Sequence, residues 1–264
     1  MRVALGVLAS LAMIGGVAAC TEVSTNPSVV VALEVHAPQL PAVVQGDTMR
    51  DSTGTPAPLV AIAFNGRNDT IPDAPVRFIA LDSGVISVDS VTGLVVARDT
   101  TGQSRVIVSA GTLQSVPLTI QVTRAPDSLQ AVSPLSDTLV YVLGFDSTTA
   151  FQVRLSHLVS PADTLVPVPN YLVQYAIVDP PGLPSDTAHV VILNDSRAPA
   201  HADTTDAQGM ASRRLLVPRS PAAGALPPDS VVVEVTAFKQ DRAHTPVPGS
   251  PVRFTVQLQQ ATKK

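Results

Sequence analysis

Residues 84–97 read GVISVDSVTGLVVA, the most informative run of residues in the chain. Residues 85–88 are mostly apolar and β-branched, residues 89–93 are turn formers, and residues 94–97 are apolar again. Two short apolar segments joined by Asp, Ser, Thr and Gly are typical of a β-hairpin, because Asp bonds its own backbone and Gly adopts positive φ. The stretch therefore predicts a strand, a turn and a second strand.

The chain around this hairpin has the same character from residue 29 to residue 123. Further strands are predicted at residues 29–35, 59–64, 75–81, 106–111 and 118–122. Gly46-Asp47-Thr48 predicts a turn, Asn65-Gly66 predicts a hairpin turn, and residues 50–54 are expected to form a loop. Short strands with turn signals at intervals of about ten residues favour a β-sandwich or a barrel.

A second unit is predicted from residue 124 to residue 258, followed by a tail at residues 259–264. Its boundary is set at Ala125-Pro126-Asp127-Ser128, where Pro and Asp interrupt the apolar pattern. Strands are predicted at residues 139–143, 150–155, 171–178, 190–193, 211–217, 231–237 and 252–258. About seven strands make a sandwich. Residues 156–166 and 218–229 are interpreted as inserts.

The composition agrees with two all-β domains. The chain has 264 residues, of which 45% are hydrophobic and 14% charged, so it has apolar material for a core. It also has 24 Pro, which suits turns and strand edges better than helix interiors. The formal net charge is -4, and the basic residues cluster only as Arg213-Arg214 and Lys263-Lys264. Nucleic acid is therefore not expected as a partner.

The first twenty residues predict export. Arg2 is followed by the mostly apolar residues 3–17, and the segment ends in Val17-Ala18-Ala19-Cys20. A basic start, a short apolar region and small residues at the end are the parts of a secretory signal. The apolar region is shorter than the roughly 20 residues that a membrane span needs.

Val17-Ala18-Ala19-Cys20 resembles the bacterial lipobox. The resemblance implies cleavage between Ala19 and Cys20, removal of residues 1–19, and acylation of the thiol and the new amino group of Cys20. Several acyl chains anchor a protein stably to a membrane, whereas one chain binds marginally. Cys20 is the only Cys in the chain. The alternative is an ordinary secretory signal with an incidental Cys.

Residues 20–28 are expected to be the lipidated Cys and a tether. Residue 21 is Thr rather than Asp. In lipoproteins that this chain resembles, Asp at that position retains the protein in the inner membrane, so the resemblance implies the outer membrane. Whether the domains lie on the periplasmic side or on the cell surface is left open.

Both units resemble bacterial immunoglobulin (Ig)-like domains. The run Gly84-Val85-Ile86-Ser87-Val88-Asp89 with Thr92-Gly93-Leu94-Val95-Val96-Ala97, preceded by Gly46-Asp47-Thr48, resembles the group 2 family. Residues 205–211, TDAQGMA, and residues 167–170, PVPN, resemble the invasin-type group 1 repeats. The resemblance implies an all-β fold of two tandem Ig-like sandwiches after a cleaved lipoprotein signal.

No catalytic constellation is apparent, and neither an enzyme nor a cofactor is expected. The histidines are scattered, lack the short spacing of zinc ligands and are expected to be exposed loop or edge residues: His36, His157, His189, His201 and His244. Asp203 and Asp206, with Gly209 after them and Asn194-Asp195 before them, are calcium candidates because Ca²⁺ prefers oxygen ligands. The alternative for these residues is turn chemistry.

Two further sets of residues have plain structural interpretations. Asn68-Asp69-Thr70 and Asn194-Asp195-Ser196 match the glycosylation sequon, but both are expected in turns. Tyr141, Tyr171 and Tyr175 fall in or beside predicted strands and are expected to pack in the core.

The leading functional hypothesis is a non-catalytic structural or adhesive module of the cell envelope. Its expected partners are the membrane, through the lipid, and a protein or polysaccharide of the envelope or surface, bound by loops or a strand edge. One alternative is a periplasm-facing scaffold of an envelope complex. Others are a carbohydrate-binding module and a hydrolase with a site hidden from sequence.

Overall fold

The chain forms only β-strands in the part that can be described. The computed structural model describes residues 26–38, 40–98, 101–180, 186–187, 190–219 and 227–261. The first group of strands is β1 (Ala32–His36), β2 (Val43–Val44), β3 (Val60–Phe64), β4 (Arg77–Ala80), β5 (Ile86–Val88), β6 (Val95–Ala97), β7 (Gly102–Ala110), β8 (Leu113–Gln114) and β9 (Leu118–Thr123). The predicted all-β class is confirmed, and no helix in these ranges is long and apolar enough to cross a membrane.

The first group forms two facing layers. One layer has the order β2-β9-β7-β4, with β8 paired to β7. The other is made of the pairs β1-β3 and β5-β6. Backbone bonds from Leu59 to the carbonyl of Gly93 at 3.0 Å, and from Met49 to that of Val95 at 2.9 Å, tie the second pair to the chain leading into β3. The hairpin predicted at residues 85–97 is confirmed as β5-β6, in which Ile86 lies opposite Ala97 and Val88 lies opposite Val95.

The second group also forms two layers. Its strands are β10 (Ser128–Ala131), β11 (Ser136–Tyr141), β12 (Ser147–Val159), β13 (Thr164–Pro167), β14 (Leu172–Asp179), β15 (Asp186–Thr187), β16 (Val190–Leu193), β17 (Ala202–Thr204), β18 (Met210–Val217), β19 (Ser230–Thr236) and β20 (Val252–Gln260). One layer has the order β10-β12-β18-β16-β15, with β13 beside β12, and the other β11-β20-β19-β14-β17.

This strand order is that of an immunoglobulin fold. If β10, β12, β14, β16, β18, β19 and β20 are lettered A to G, one layer reads A-B-E-D and the other G-F-C. The extra strand β11 runs parallel to β20, as β2 runs parallel to β9 in the first group. The first group has the same G-F-C layer in β9-β7-β4. Both sandwiches are therefore Ig-like, as expected.

Alternating side chains build the two cores. In β19 every second residue is buried, from Val231 through Val233 to Val235, and the residues between them are half-buried. Tyr141, Tyr171 and Tyr175 are all buried, so their predicted place in the core is confirmed. The two apolar clusters are not strictly separate by sequence, because Val44 belongs to the cluster of the second group. The predicted division at residue 124 thus stays a prediction.

One interpretation gains detail and one expectation needs correction. Residues 156–166, interpreted as an insert, form a regular hairpin, because β12 continues to Val159 and pairs with β13, from Ser156 opposite Pro167 to Val159 opposite Thr164. The turn after β3 is not a two-residue turn at Asn65-Gly66, since the left-handed residue is Asn68, with φ of 65°. Asn65 instead begins a longer turn that returns the chain at Thr70, opposite Phe64.

That longer turn occurs five times in the described ranges. In each copy the side-chain oxygen of a first Asp or Asn accepts the N–H of the fifth residue, and the N–H of the fourth donates to the carbonyl of the first. The copies begin at Asp51, Asn65, Asn194, Asp206 and Asp241. The fourth residue has positive φ and is Gly54, Asn68, Arg197, Gly209 or His244. Both sequon asparagines, Asn68 and Asn194, lie in these turns, as predicted.

Candidate functional site at the junction of the two sandwiches

The connection between β9 and β10 is fastened to the second sandwich. The N–H of Asp127 donates to the carbonyl of Ser156 at 2.8 Å. The Nδ1 atom of His157 lies 2.9 Å from the carbonyl oxygen of Ala125 and 2.7 Å from Oδ2 of Asp127. Because both neighbours are acceptors, this nitrogen carries the proton. The N–H of Leu158 donates to the same carboxylate at 3.0 Å. The β12–β13 hairpin therefore holds the connection in place.

Apolar packing continues across the junction. Val44, the last residue of β2, is buried among core residues of the second sandwich. Ala125 packs against the same cluster. The hydroxyl of Thr123, which is 2% exposed, donates to the carbonyl oxygen of Pro169 at 2.8 Å. The end of the first sandwich is thus buried against the loop that precedes β14.

The loop before β3 meets the loop between β19 and β20. A methyl group on Gly54 would lie 2.6 Å from the carbonyl oxygen of Asp241, so the two backbones touch at a position that only Gly permits. Arg50 fixes this loop by donating to Oδ1 of Asp47 at 3.0 Å and to the carbonyl of Gly54 at 2.9 Å. The hydrogen bond with Asp47, and then the charges of Asp47 and Asp241, raise the pKa of Arg50 despite its partial burial.

Buried and stacked side chains order the β19–β20 loop. The hydroxyl of Tyr171 donates to the carbonyl of Phe238 at 2.8 Å and accepts the N–H of Gln240 at 3.1 Å. The Phe238 and His244 rings stack with centroids 4.3 Å apart. Burial raises the pKa of the Tyr171 phenol far above its usual value, although the bond from Gln240 opposes this shift. The loop therefore presents a defined surface to the first sandwich.

A cavity of about 20 Å³ lies between the two loops, lined by residues such as Ser52, Gly54, Tyr171 and Gln240. That volume holds a single water molecule, not a substrate. Both side-chain amide atoms of Gln240 are buried without a hydrogen-bond partner in the described ranges. The junction is therefore a packing interface that contains a small cavity.

Asp203, a calcium candidate, makes an ion pair and a hydrogen bond within the second sandwich. Its Oδ1 atom lies 2.9 Å from Nη1 of Arg213, and Oδ2 accepts the N–H of Ser212 at 2.8 Å. Arg213 also donates to the carbonyl of Ala202. The Arg213 side chain is 8% exposed and that of Asp203 is 22% exposed. Because Arg213 lies in β18 and Asp203 in β17, the pair joins the two layers.

Asp206, the other candidate, stabilises its own turn. Its Oδ1 atom accepts the N–H of Gln208 at 2.8 Å and that of Met210 at 2.9 Å. A metal ion would have to replace these bonds and the Arg213 pair of Asp203. In the described ranges no three His, Cys, Asp or Glu residues are grouped so that they could hold a metal.

The remaining predicted positions fall in different places. Ala19, Cys20 and His189 lie outside the described residues. His36 is exposed at a strand edge, whereas His157 is half-buried and holds the connection to β10. Sequence reasoning did not find this role for His157. The only signal in the sequence was Asp127, which directly follows a Pro and lies thirty residues before His157.

Comparisons with known proteins give structural similarity only. No protein-family model and no curated protein matches the chain. Domains 4 and 5 of the S-layer protein SbsC match with a TM-score of 0.30 and 12% identity, over 87% of this chain and 98% of that one.

Two further solved structures match at a similar level. The adhesin InvE of Yersinia pseudotuberculosis gives a TM-score of 0.33 and 15% identity over 85% of this chain and 58% of that one. The fibronectin(III)-like modules of Clostridium thermocellum CbhA match with a TM-score of 0.30 and 11% identity, over 87% of this chain and 95% of that one. All these TM-scores lie below 0.5, so the assignment of the Ig-like class rests on the strand order.

Proposed function

We propose that this chain is a non-catalytic lipoprotein of the cell envelope whose two Ig-like sandwiches form a stiff spacer. The lipid on Cys20 holds one end at the membrane, and the far end of the second sandwich binds an envelope or surface partner. The observation that carries this proposal is the continuous junction, in which Val44 packs into the second core and Thr123 bonds to Pro169. A flexible linker between independent domains would lack such contacts.

The polar side chains that are buried support a non-catalytic role. Arg213 joins two layers of one sandwich, and Tyr171 orders a loop. Neither side chain lines a cleft large enough for a substrate. These groups stabilise the fold, which is what a mechanical spacer requires.

The far end of the second sandwich has exposed apolar side chains. The connection from β11 to β12 includes Val142, Leu143 and Phe145, which are 44%, 47% and 69% exposed. From Ser147 to Ser156, where the connection to β10 attaches, β12 extends about 30 Å. The exposed tip is thus remote from the junction, and exposed apolar patches are typical of binding surfaces.

The anchor is tested by replacing Cys20. We expect Cys20→Ala to move the protein from the membrane fraction to the aqueous fraction, while the nearby control Ser24→Ala leaves it at the membrane. Both variants keep the apolar residues 3–17 intact. If Cys20→Ala still sediments with membranes, lipid attachment at this residue is refuted.

The side of the membrane is tested with protease on intact and on lysed cells. Degradation of the sandwiches in intact cells supports a surface or adhesive role. Protection until lysis supports the periplasm-facing scaffold instead. Neither result tests the stiffness of the junction, because that stiffness depends on contacts within the chain and not on the side of the membrane.

A further inference from the structure

A polar pocket lies on the outer face of the second sandwich, above β12, β18 and β16. It has a volume of about 280 Å³ and is lined by side chains that include Asp146, Thr148, Asn194, Asp195, Arg197 and Arg214. The pairing of Thr148 with Leu216, and of Leu193 with Arg214, places the strand residues side by side. Arg214 points outward because its neighbours Arg213 and Leu215 point into the core.

Two guanidinium groups in this pocket have no partner among the described residues. Arg50, Arg105, Arg213 and Arg253 each pair with a carboxylate. By contrast, the guanidinium groups of Arg197 and Arg214 make neither an ion pair nor a hydrogen bond in the described ranges.

The acidic and amide side chains of the pocket are partly engaged. Asp146 accepts the N–H of Arg219 through Oδ1, at 2.8 Å, and Asn194 accepts that of Ala198, at 2.9 Å. The pocket therefore offers open cationic donors together with oxygen acceptors.

Arg197 also adopts a backbone conformation that is unfavourable for Arg. It is the fourth residue of the turn that begins at Asn194, with φ of 62°. The other copies of this turn have Gly, Asn or His there, which adopt positive φ at lower cost. The turn imposes positive φ on its fourth residue, so Arg197 carries a backbone cost that Gly would not, and its side chain lines the pocket.

We propose that this pocket binds the carboxylate of an acidic sugar unit in an envelope polysaccharide. A guanidinium presents paired N–H donors that match a carboxylate, and two Arg residues line this pocket. Asp195, Asp146 and Thr148 supply acceptors for sugar hydroxyls. This inference extends the proposed envelope function by naming the class of partner.

The shape and charge of the pocket favour a sugar unit over other anions. Its volume lies near the roughly 300 Å³ lower limit of small-molecule sites, which suits one ring. The edges between β12 and β18 and between β18 and β16, at the floor of the pocket, are already paired, so an extended peptide cannot add a strand between them. Asp146 and Asp195 offset part of the charge of Arg197 and Arg214, so the pocket suits a single carboxylate better than a densely charged polyphosphate.

The test is a titration of the purified full chain with trigalacturonic acid, in which binding is monitored by NMR chemical shifts. We expect saturable binding that weakens about tenfold or more in Arg214→Gln and in Arg197→Gly, because each removes one charged hydrogen-bonding group. Arg154→Gln is the matched control, since Arg154 is exposed on the same layer outside the pocket and should not change binding. Galactotriose, which lacks the carboxylates, should bind at least about tenfold more weakly.

Arg197→Gly separates binding from folding. Glycine suits φ of 62°, so this variant should unfold at an equal or higher temperature while it loses the ligand. Equal affinity of wild type and Arg214→Gln, equal affinity for galactotriose, or preference for a glutamate-rich peptide would overturn the proposal. The Cys20→Ala fractionation is independent of this titration, so failure of the sugar site and failure of the anchor are distinguishable.

Discussion

The hydroxyl of Thr123, the last residue of β9, donates a hydrogen bond of 2.8 Å to the carbonyl oxygen of Pro169, which precedes β14. This bond joins the two sandwiches within a buried interface. Thr123→Val keeps the shape but leaves the carbonyl unpaired, so we expect unfolding to become easier by about 1–3 kcal/mol. Urea unfolding measures this. Thr164→Val is the control, because its hydroxyl makes an exposed bond of 3.4 Å, and equal effects of the two changes would contradict the account.

Gly54→Ala tests the contact between the two loops. The new methyl group would lie 2.6 Å from the carbonyl oxygen of Asp241, so the sandwiches must separate locally. Gly111→Ala is the matched control, because Gly111 also has positive φ but has nothing within 4 Å of its added methyl group. Both variants are strained by their backbone, and only Gly54→Ala should loosen the junction.

Spin labels measure this difference. Val91 and Phe145 are 71% and 69% exposed, one in each sandwich, and can carry labels on introduced cysteines in a Cys20→Ser background. We expect a broader distance distribution in Gly54→Ala than in Gly111→Ala. Indistinguishable distributions would show that the loop contact does not hold the junction.

The pair of Arg213 and Asp203 should dominate the stability of the second sandwich. Arg213→Ala leaves a largely buried carboxylate without its cation, and we expect a loss of about 3 kcal/mol. Arg253→Ala breaks an exposed pair with Glu234 and should cost less than about 1 kcal/mol. Urea unfolding of both variants checks the order, and a larger loss for Arg253→Ala would contradict it.

Alkaline pH should destabilise the chain through its buried tyrosines. Burial, with a contribution from Asp203 against Arg213, raises the pKa of Tyr175 above its usual value. Above the ordinary tyrosine pKa near 10, the unfolded chain therefore releases a proton that the folded chain keeps, and stability falls as pH rises.

Tyr175→Phe should remove one of these protons. Its stability near pH 8 should change little, because the Tyr175 hydroxyl has no partner in the described ranges. Above pH 10 its loss of stability should be less steep by about 1.4 kcal/mol per pH unit. Urea unfolding at several values of pH decides the point, and identical slopes for wild type and variant would refute the role of Tyr175.

Local chemistry made part of the fold predictable. The β5–β6 hairpin was predictable because Asp89 accepts the N–H groups of Val91 and Thr92, and Gly93 adopts φ of 74°. These interactions lie within five residues of one another. The same holds for the Asp206 turn, where an Asp and a Gly three residues later decide the conformation.

Long-range contacts were not predictable. Val44 was missed because its pairing with Thr123 and its packing against the second sandwich depend on residues far away in sequence. β13 pairs with the adjacent strand β12, but it is short and ends in Pro167, a residue that is disfavoured within strands. The sequence alone does not show which of the adjacent residues Arg213 and Arg214 is buried. Only the strand register sends Arg213 into the core and Arg214 to the surface pocket. The surface pocket depends on that register, so sequence alone did not reveal it.

The stiffness of the junction is tested most directly by ¹⁵N relaxation of residues 21–264 in solution. The account predicts one rotational diffusion tensor for amides in both sandwiches, because Val44, Thr123 and the Asp241 loop fix their relative orientation. Separate, shorter correlation times for the strands before Thr123 and after Ser128 would contradict it, since each sandwich would then tumble by itself.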